Sequence, residues 1–512
     1  MRHGEGIPGR QRPHPLLMRD FIPGLSALVI LGLVAVSAPH AAAAPPPAPA
    51  LSACELEHPL HLATVAAQCM ELAVAENPQR PAGRQIRLRV AVVPAVNRNK
   101  RPDPLFVLAG GPGTAAGAFY AQTAGAFARI HRDRDIVLVD QRGTGESQAL
   151  NCALSEEELY SESDAQLLSQ TQRCLAALAP VADVAQYTTS LAVQDLERVR
   201  AAFGYNQVDL YGVSYGTRVA QHYLRRFPAH TRAVVLDGVV PPQVALGASA
   251  AQDAENALMG SFARCVHDAL CHARFGDPAA SYRQLRAALT LRAVPVNIAD
   301  PTSGEPVHMD FTAQHLAAVL RFLVYSPAGA ALLPLLLHQA DAEHDFTALA
   351  AQFRLISRDY AGEFAIGMHN TVVCSEDVPL YPAQSIDRAA LARTFMGTRQ
   401  LDGLITLCGA WPRGPVDADF HAPLQSDVPV LLLSGSDDPV TPPSFAAQAR
   451  RGLHHSLSLV LPGFGHSQLA TPCVARLLER FYESASVDGL DVACTQEARP
   501  QAFFISRNGP GP

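Results

Sequence analysis

The chain has 512 residues, 48% hydrophobic and 17% charged, with a formal net charge of −7. That length and apolar content allow one large domain with an insertion, or two to three small ones, and exclude a disordered chain. The mild acidity, the lack of a long basic run and an aromatic content of 6% with one Trp argue against nucleic acid as the main partner.

Arg2, Arg10, Arg12 and Arg19 precede an apolar run from Leu25 to Val36, and small residues follow from Ser37 to Ala44. This is the layout of an export signal over 1–44, with cleavage near Ala41 to Ala44. The run is too short to span a hydrocarbon core about 30 Å thick, so no stable membrane span is expected after cleavage. Pro45 to Ala50 reads as a linker. Periplasmic or secreted locations both fit, and the oligomeric state is not read from the sequence.

Export gives meaning to the ten cysteines. An even number in an oxidising compartment points to disulfides. They fall as close neighbours, which suggests Cys54–Cys69, Cys152–Cys174, Cys265–Cys271, Cys374–Cys408 and Cys473–Cys494, although sequence alone does not fix connectivity. There is no Cys-x-x-Cys, so neither a metal site nor a redox motif is expected. Leu51-Ser52-Ala53-Cys54 has the look of a lipoprotein-processing box. It lies far past the apolar run, and lipidation would leave an odd number of cysteines, so anchoring at Cys54 is the minor reading.

In chain order, Gln85 to Pro94 reads as a strand or hairpin arm. Pro104 to Ala109 reads as a buried strand running into the glycine-rich loop Gly110-Gly111-Pro112-Gly113. Asp135 to Asp140 is another, followed by Gln141-Arg142-Gly143-Thr144-Gly145-Glu146-Ser147, in which Asp140 and Arg142 are expected to pair and order the loop. A helix over 190–203 precedes Val208 to Val213, a strand that ends in Gly212-Val213-Ser214-Tyr215-Gly216 and opens a helix over 218–227. Ala233 to Gly238 is the next strand. From about 241 to 425 the texture is Ala- and Leu-rich and helical. Strands return at Val428 to Leu433, before Asp437-Asp438-Pro439, and at Ser456 to Leu461, before Gly463-Phe464-Gly465-His466. Strands alternating with helices predict an α/β fold, a mostly parallel sheet with helices on both faces. The expected organisation is a core over 45–240, a helical cap over 241–425, the resumed core over 426–482, and a tail over 483–512 tied by a disulfide.

Gly-x-Ser-x-Gly between a strand and a helix is the setting of a nucleophile elbow. The turn admits no bulk beside Ser214, and the N–H of Tyr215 heads a helix where it can meet a developing oxyanion. As a bare pattern this is weak, and an ordinary turn would also fit. A serine hydroxyl needs a base, which His466 after the last strand can supply, and a carboxylate to orient that base, which Asp437 or Asp438 can supply. The order Ser, Asp, His is that of α/β-hydrolases, and the Gly110–Gly113 loop is placed to give a second oxyanion donor. Each feature alone has an ordinary explanation. Their shared position at strand C-terminal ends, where parallel sheets bind ligands, favours a site.

Gly-Gly-Pro-Gly at 110–113, Asp-Gln-Arg-Gly-x-Gly-x-Ser at 140–147, Gly-x-Ser-Tyr-Gly at 212–216, Asp-Pro-Val-Thr-Pro at 438–442 and Gly-x-Gly-His at 463–466 resemble the proline iminopeptidase and tripeptidyl aminopeptidase group of α/β-hydrolases. The secreted branch with a tripeptidyl-aminopeptidase-like C-terminal region is the nearest in pattern, and the resemblance runs from about Cys54 to Cys494. It implies Asp438 as the triad acid beside Ser214 and His466, with Gly111 and Tyr215 as oxyanion donors. Val372 to Asp377 resembles the family's cysteine-x-acid stretch, and Trp411 follows Cys408 much as in relatives. Two departures are Ala109, where the family often has a histidine before its glycines, and Ala75, where relatives tend to have proline. The oxyanion hole is expected to survive the first because it uses backbone.

The expected function is that of an exported serine hydrolase without cofactor or metal. An aminopeptidase must also hold a free ammonium, for which Glu376 is the first candidate and Asp377 the second. An esterase or lactonase could use the same triad on neutral substrates. A non-catalytic binding protein on this scaffold is the remote alternative.

Overall fold

A computed structural model describes residues 50–153, 163–381 and 386–510. The expected export segment, 1–44, lies outside the described residues. Among the described residues the main sheet has nine strands: β1 (Ser52–Glu57), β2 (Thr64–Ala75), β3 (Gln85–Val93), β4 (Leu105–Leu108), β5 (Ile136–Val139), β6 (Val208–Val213), β7 (Thr231–Asp237), β10 (Val430–Gly435) and β11 (Ser456–Leu461). Their spatial order is β1-β2-β3-β5-β4-β6-β7-β10-β11. β1, β2 and β3 are antiparallel, β3 meets β5 antiparallel, and the rest run parallel.

The parallel strands are short apolar runs because both their faces are covered. Alternation along each strand sends Phe106, Val137, Leu210 and Leu432 into one core, and Leu105, Leu138, Tyr211 and Leu433 into the other. The helices Thr189–Ala202 and Tyr215–Arg226 cover the first core, and Ala116–His131 and Pro472–Ser484 the second. In the last of these, Val474, Leu477, Leu478 and Phe481 repeat at helical spacing and are all buried.

β1 and β2 were not expected from the sequence. β2 carries four alanines, poor strand formers, and many of its residues face solvent. The Cys54–Cys69 bridge ties this edge hairpin together. The other cysteines pair as Cys152–Cys174, Cys265–Cys271, Cys374–Cys408 and Cys473–Cys494.

Between β7 and β10 the chain leaves the sheet for a largely helical stretch with its own core, in which Phe262, Phe311, Leu320 and Leu337 are buried. It also contains an antiparallel hairpin, β8 (Val294–Ala299) and β9 (Pro306–Phe311), which the helical reading missed. The signal was the alternation that buries Val296 and Ile298 and exposes their neighbours. Among the described residues, no helix is long and apolar enough to cross a membrane.

Candidate active site

Ser214 sits between β6 and the helix Tyr215–Arg226 at φ 56° and ψ −126°, a strained conformation for a non-glycine residue. Its N–H donates to the Asp237 carbonyl at 2.9 Å, which pins the turn to β7. Close packing explains the flanking glycines. A Cβ on Gly212 would lie 2.4 Å from the Gly216 carbonyl oxygen, and one on Gly216 would lie 2.2 Å from that of Leu108. Tyr215 is the first residue of its helix, where leading N–H groups have no intrahelical acceptor. Gly110, Gly111 and Ser214 line one cavity, whose volume is about 980 Å³.

His466 follows β11 and lines the same cavity. Its Nδ1 lies 2.8 Å from Asp438 Oδ2. A carboxylate only accepts, so the proton sits on Nδ1 and Nε2 keeps its lone pair. Asp438 is itself held by the N–H groups of Val440 (2.9 Å) and Thr441 (2.8 Å) and by Thr441 Oγ1 (2.7 Å). The turn is therefore both a turn and the seat of the carboxylate. Burial alone would lower the His466 pKa, but the charge and hydrogen bond of Asp438 outweigh it and the net shift is upward. The loop is fastened from two sides. The His466 N–H donates to the Tyr325 carbonyl at 2.7 Å, and buried Asp237 accepts from Gln468 N (2.8 and 2.9 Å), Ser467 Oγ (3.0 Å) and Tyr211 OH (2.7 Å). Asp437 is turned away and pairs with Arg264 at 2.9 Å. Sequence reasoning passed over Thr441 and Asp237. Thr441 had a local signal, since a threonine three residues past an Asp can close such a turn.

Residues 103–264 match the model described as the alpha/beta hydrolase fold, and residues 393–494 match the model described as TAP-like protein. The chain has the α/β-hydrolase fold. Among the relatives, this hydrolase is 24% identical to the tripeptidyl aminopeptidase of Streptomyces coelicolor over 85% of its own length and 84% of that protein's. It is 26% identical to the serine protease Hip1 of Mycobacterium tuberculosis over 78% and 82%. A 157-residue stretch is 33% identical to the hydrolase YuaR of Escherichia coli, and covers 31% of that protein.

In this serine hydrolase Glu376 and Asp377 do not line the cavity. Both are fully buried. Glu376 accepts from Thr189 N (2.7 Å) and Thr189 Oγ1 (2.9 Å), and Thr189 Oγ1 meets the Tyr215 hydroxyl at 2.5 Å. Burial pushes the Glu376 carboxyl up to about 7, with Asp377 adding to it. Asp377 pairs with Arg218 at 2.7 Å. These acids brace the back of the elbow through Thr189 and Arg218. The expected Asp140–Arg142 pair is also corrected. Arg142 is fully buried and bidentate to Asp195 (2.6 and 2.9 Å), while Asp140 accepts from the N–H groups of Gly117 and Glu146. Trp411 is buried and donates to Thr371 Oγ1 at 3.0 Å. Among the described residues there is no cluster of His, Cys, Asp and Glu that could hold a metal ion.

Proposed function

We propose that the protein is an exported serine aminopeptidase that releases N-terminal residues or short peptides through an acyl-enzyme at Ser214. The observation that carries the amine preference is Asp253, the one carboxylate on the cavity wall among the described residues. It lies on the first long helix after β7, Ala250–His267, and accepts from Ser249 Oγ at 2.7 Å. Burial raises its pKa, with Asp438 adding to the shift, so a desolvated charge here gains from an ammonium partner.

In the proposed reaction Ser214 Oγ attacks the scissile carbonyl and its proton passes to His466 Nε2. The N–H groups of Tyr215 and Gly111 receive the oxyanion. His466 then protonates the departing amine, and water hydrolyses the acyl-enzyme by the same route. Asp438 fixes the imidazole and stabilises its cation. The stretch 241–425 acts as the cap that closes this chamber. Five disulfides support export to an oxidising compartment, periplasmic or extracellular.

An esterase is the second reading, since a neutral acyl ester would use the same groups. It draws support from 27% identity to carboxylesterase B of Mycobacterium tuberculosis over 84% of this chain. The discriminating experiment compares free-amine and N-acetyl peptidyl arylamides with a short acyl ester. The aminopeptidase cleaves the free amine, loses it on acetylation, and loses about 10- to 100-fold of kcat/KM in Asp253→Asn, the value of one charge-assisted hydrogen bond. Equal cleavage of acetylated and free substrates, unaffected by Asp253→Asn, overturns it in favour of the esterase.

A further inference from the structure

Among the described residues three arginines line the cavity that contains Ser214, against the single carboxylate of Asp253: Arg286, Arg321 and Arg399. Two of them are engaged. Arg286 donates to the carbonyls of Arg393 (2.6 Å) and Ala392 (3.1 Å), and Arg399 pairs with Asp164 at 2.5 Å. Arg321 differs. It is half-buried, and its Nη1 donates to Met396 Sδ at 3.2 Å, a weak acceptor. Among the described residues it makes no ion pair. A partly desolvated guanidinium facing a cavity without a counter-ion is costly, and an anionic ligand group would relieve that cost.

Its position relates it to the leaving side of the reaction. Arg321 lies in the last turn of the helix Ala313–Leu323, four residues before Tyr325, whose carbonyl holds the His466 N–H and whose ring packs on His466 with centroids 5.3 Å apart. The charge of Arg321 also reaches His466, where it opposes protonation. His466 hands its proton to the departing amine, so a group beside His466 on the cap faces the released fragment. In a fragment of one or two residues the α-carboxylate lies within about 3.5 Å per residue of that amine. The cavity volume of about 980 Å³ is at the upper end of the range for small-molecule sites, about 300–1,000 Å³.

We propose that Arg321 binds the C-terminal carboxylate of the substrate, making the enzyme selective for short free peptides, with Asp253 at the amine end and Arg321 at the carboxylate end. This rests on the aminopeptidase reading and adds to it the class of substrate, a zwitterionic oligopeptide rather than a long polypeptide.

The test measures release of products from di-, tri- and tetra-alanine and from their C-terminal amides, by the mature disulfide-bonded protein and by Arg321→Gln and Arg321→Lys. The ratio of kcat/KM for acid over amide is compared within each protein, so a partly folded variant still gives a valid ratio. For the longest peptide cleaved, the expected ratio is about tenfold or more in the wild type, close to one in Arg321→Gln, and partly restored in Arg321→Lys. A wild-type ratio of one, or a ratio unchanged in Arg321→Gln, overturns the proposal and leaves the aminopeptidase reading in place. N-acetyl-alanine peptides included in the same series report on that reading separately, because their cleavage at the free-peptide rate would count against Asp253 and not against Arg321.

Discussion

Arg218, one turn past Ser214 on the elbow helix, donates to Asp377 at 2.7 Å with both side chains buried, and its Nη2 donates to the Val244 carbonyl at 2.6 Å. Asp377 also accepts from the N–H of Leu246 at 2.8 Å. One buried ion pair therefore joins the nucleophile's helix to the stretch that follows β7. Removing one partner of such a pair leaves an uncompensated charge and costs about 3–5 kcal/mol. Asp377→Ala is expected to lower the melting temperature and the denaturant midpoint without changing the preference for free-amine over acetylated substrate. A lost amine preference at unchanged stability would return Asp377 to the role first expected of it.

Thr441 Oγ1 donates to Asp438 Oδ2 at 2.7 Å and lies 3.1 Å from His466 Nδ1. Thr441→Val keeps the shape and removes that donor. With a hydrogen bond to a charged group worth about 1.5–3 kcal/mol, kcat is expected to fall by about 10- to 100-fold. The melting temperature is the companion measurement, and unchanged kcat would show that the backbone N–H groups of Val440 and Thr441 suffice.

The pH profile follows from His466, which must be neutral to act as base. Its pKa is raised in the folded protein, so the acid limb of kcat/KM should lie above the usual 6.5. Activity is lost as pH falls through that raised value. Asp438→Asn removes the charge that raises it, so the limb should move to lower pH while the plateau drops by several orders of magnitude. A limb that stays in place in Asp438→Asn would show that the Asp438 charge does not raise the His466 pKa.

Reduction should destabilise the fold. The Cys374–Cys408 and Cys473–Cys494 bridges close stretches of 34 and 21 residues, and loops of that size are worth about 3–4 kcal/mol each in the chain-entropy account. A melting temperature unmoved by dithiothreitol, with thiol titration confirming ten free thiols, would contradict this.

The sheet's parallel centre was legible because buried strands leave short apolar runs and the turns after them demand glycine, as at Gly212 and Gly216. Asp438 and Asp437 were not separable by local pattern, since their difference is one of orientation: one faces His466, the other Arg264. The alanines of β2 hid a strand whose pairing is set by its neighbours. Asp253 and Arg321 carry no local mark at all. Each is a charge on an amphipathic helix until tertiary packing turns it to the chamber, whereas Glu376 and Asp377 sat beside a conspicuous cysteine and were drawn into a buried brace.

The most direct measurement is intact-mass and peptide mapping of the mature protein after reaction with a fluorophosphonate, alongside Ser214→Ala. One adduct is expected, on Ser214, formed in step with loss of hydrolysis, and neither adduct nor hydrolysis in Ser214→Ala. Labelling at another residue, or hydrolysis that persists in Ser214→Ala, would contradict it.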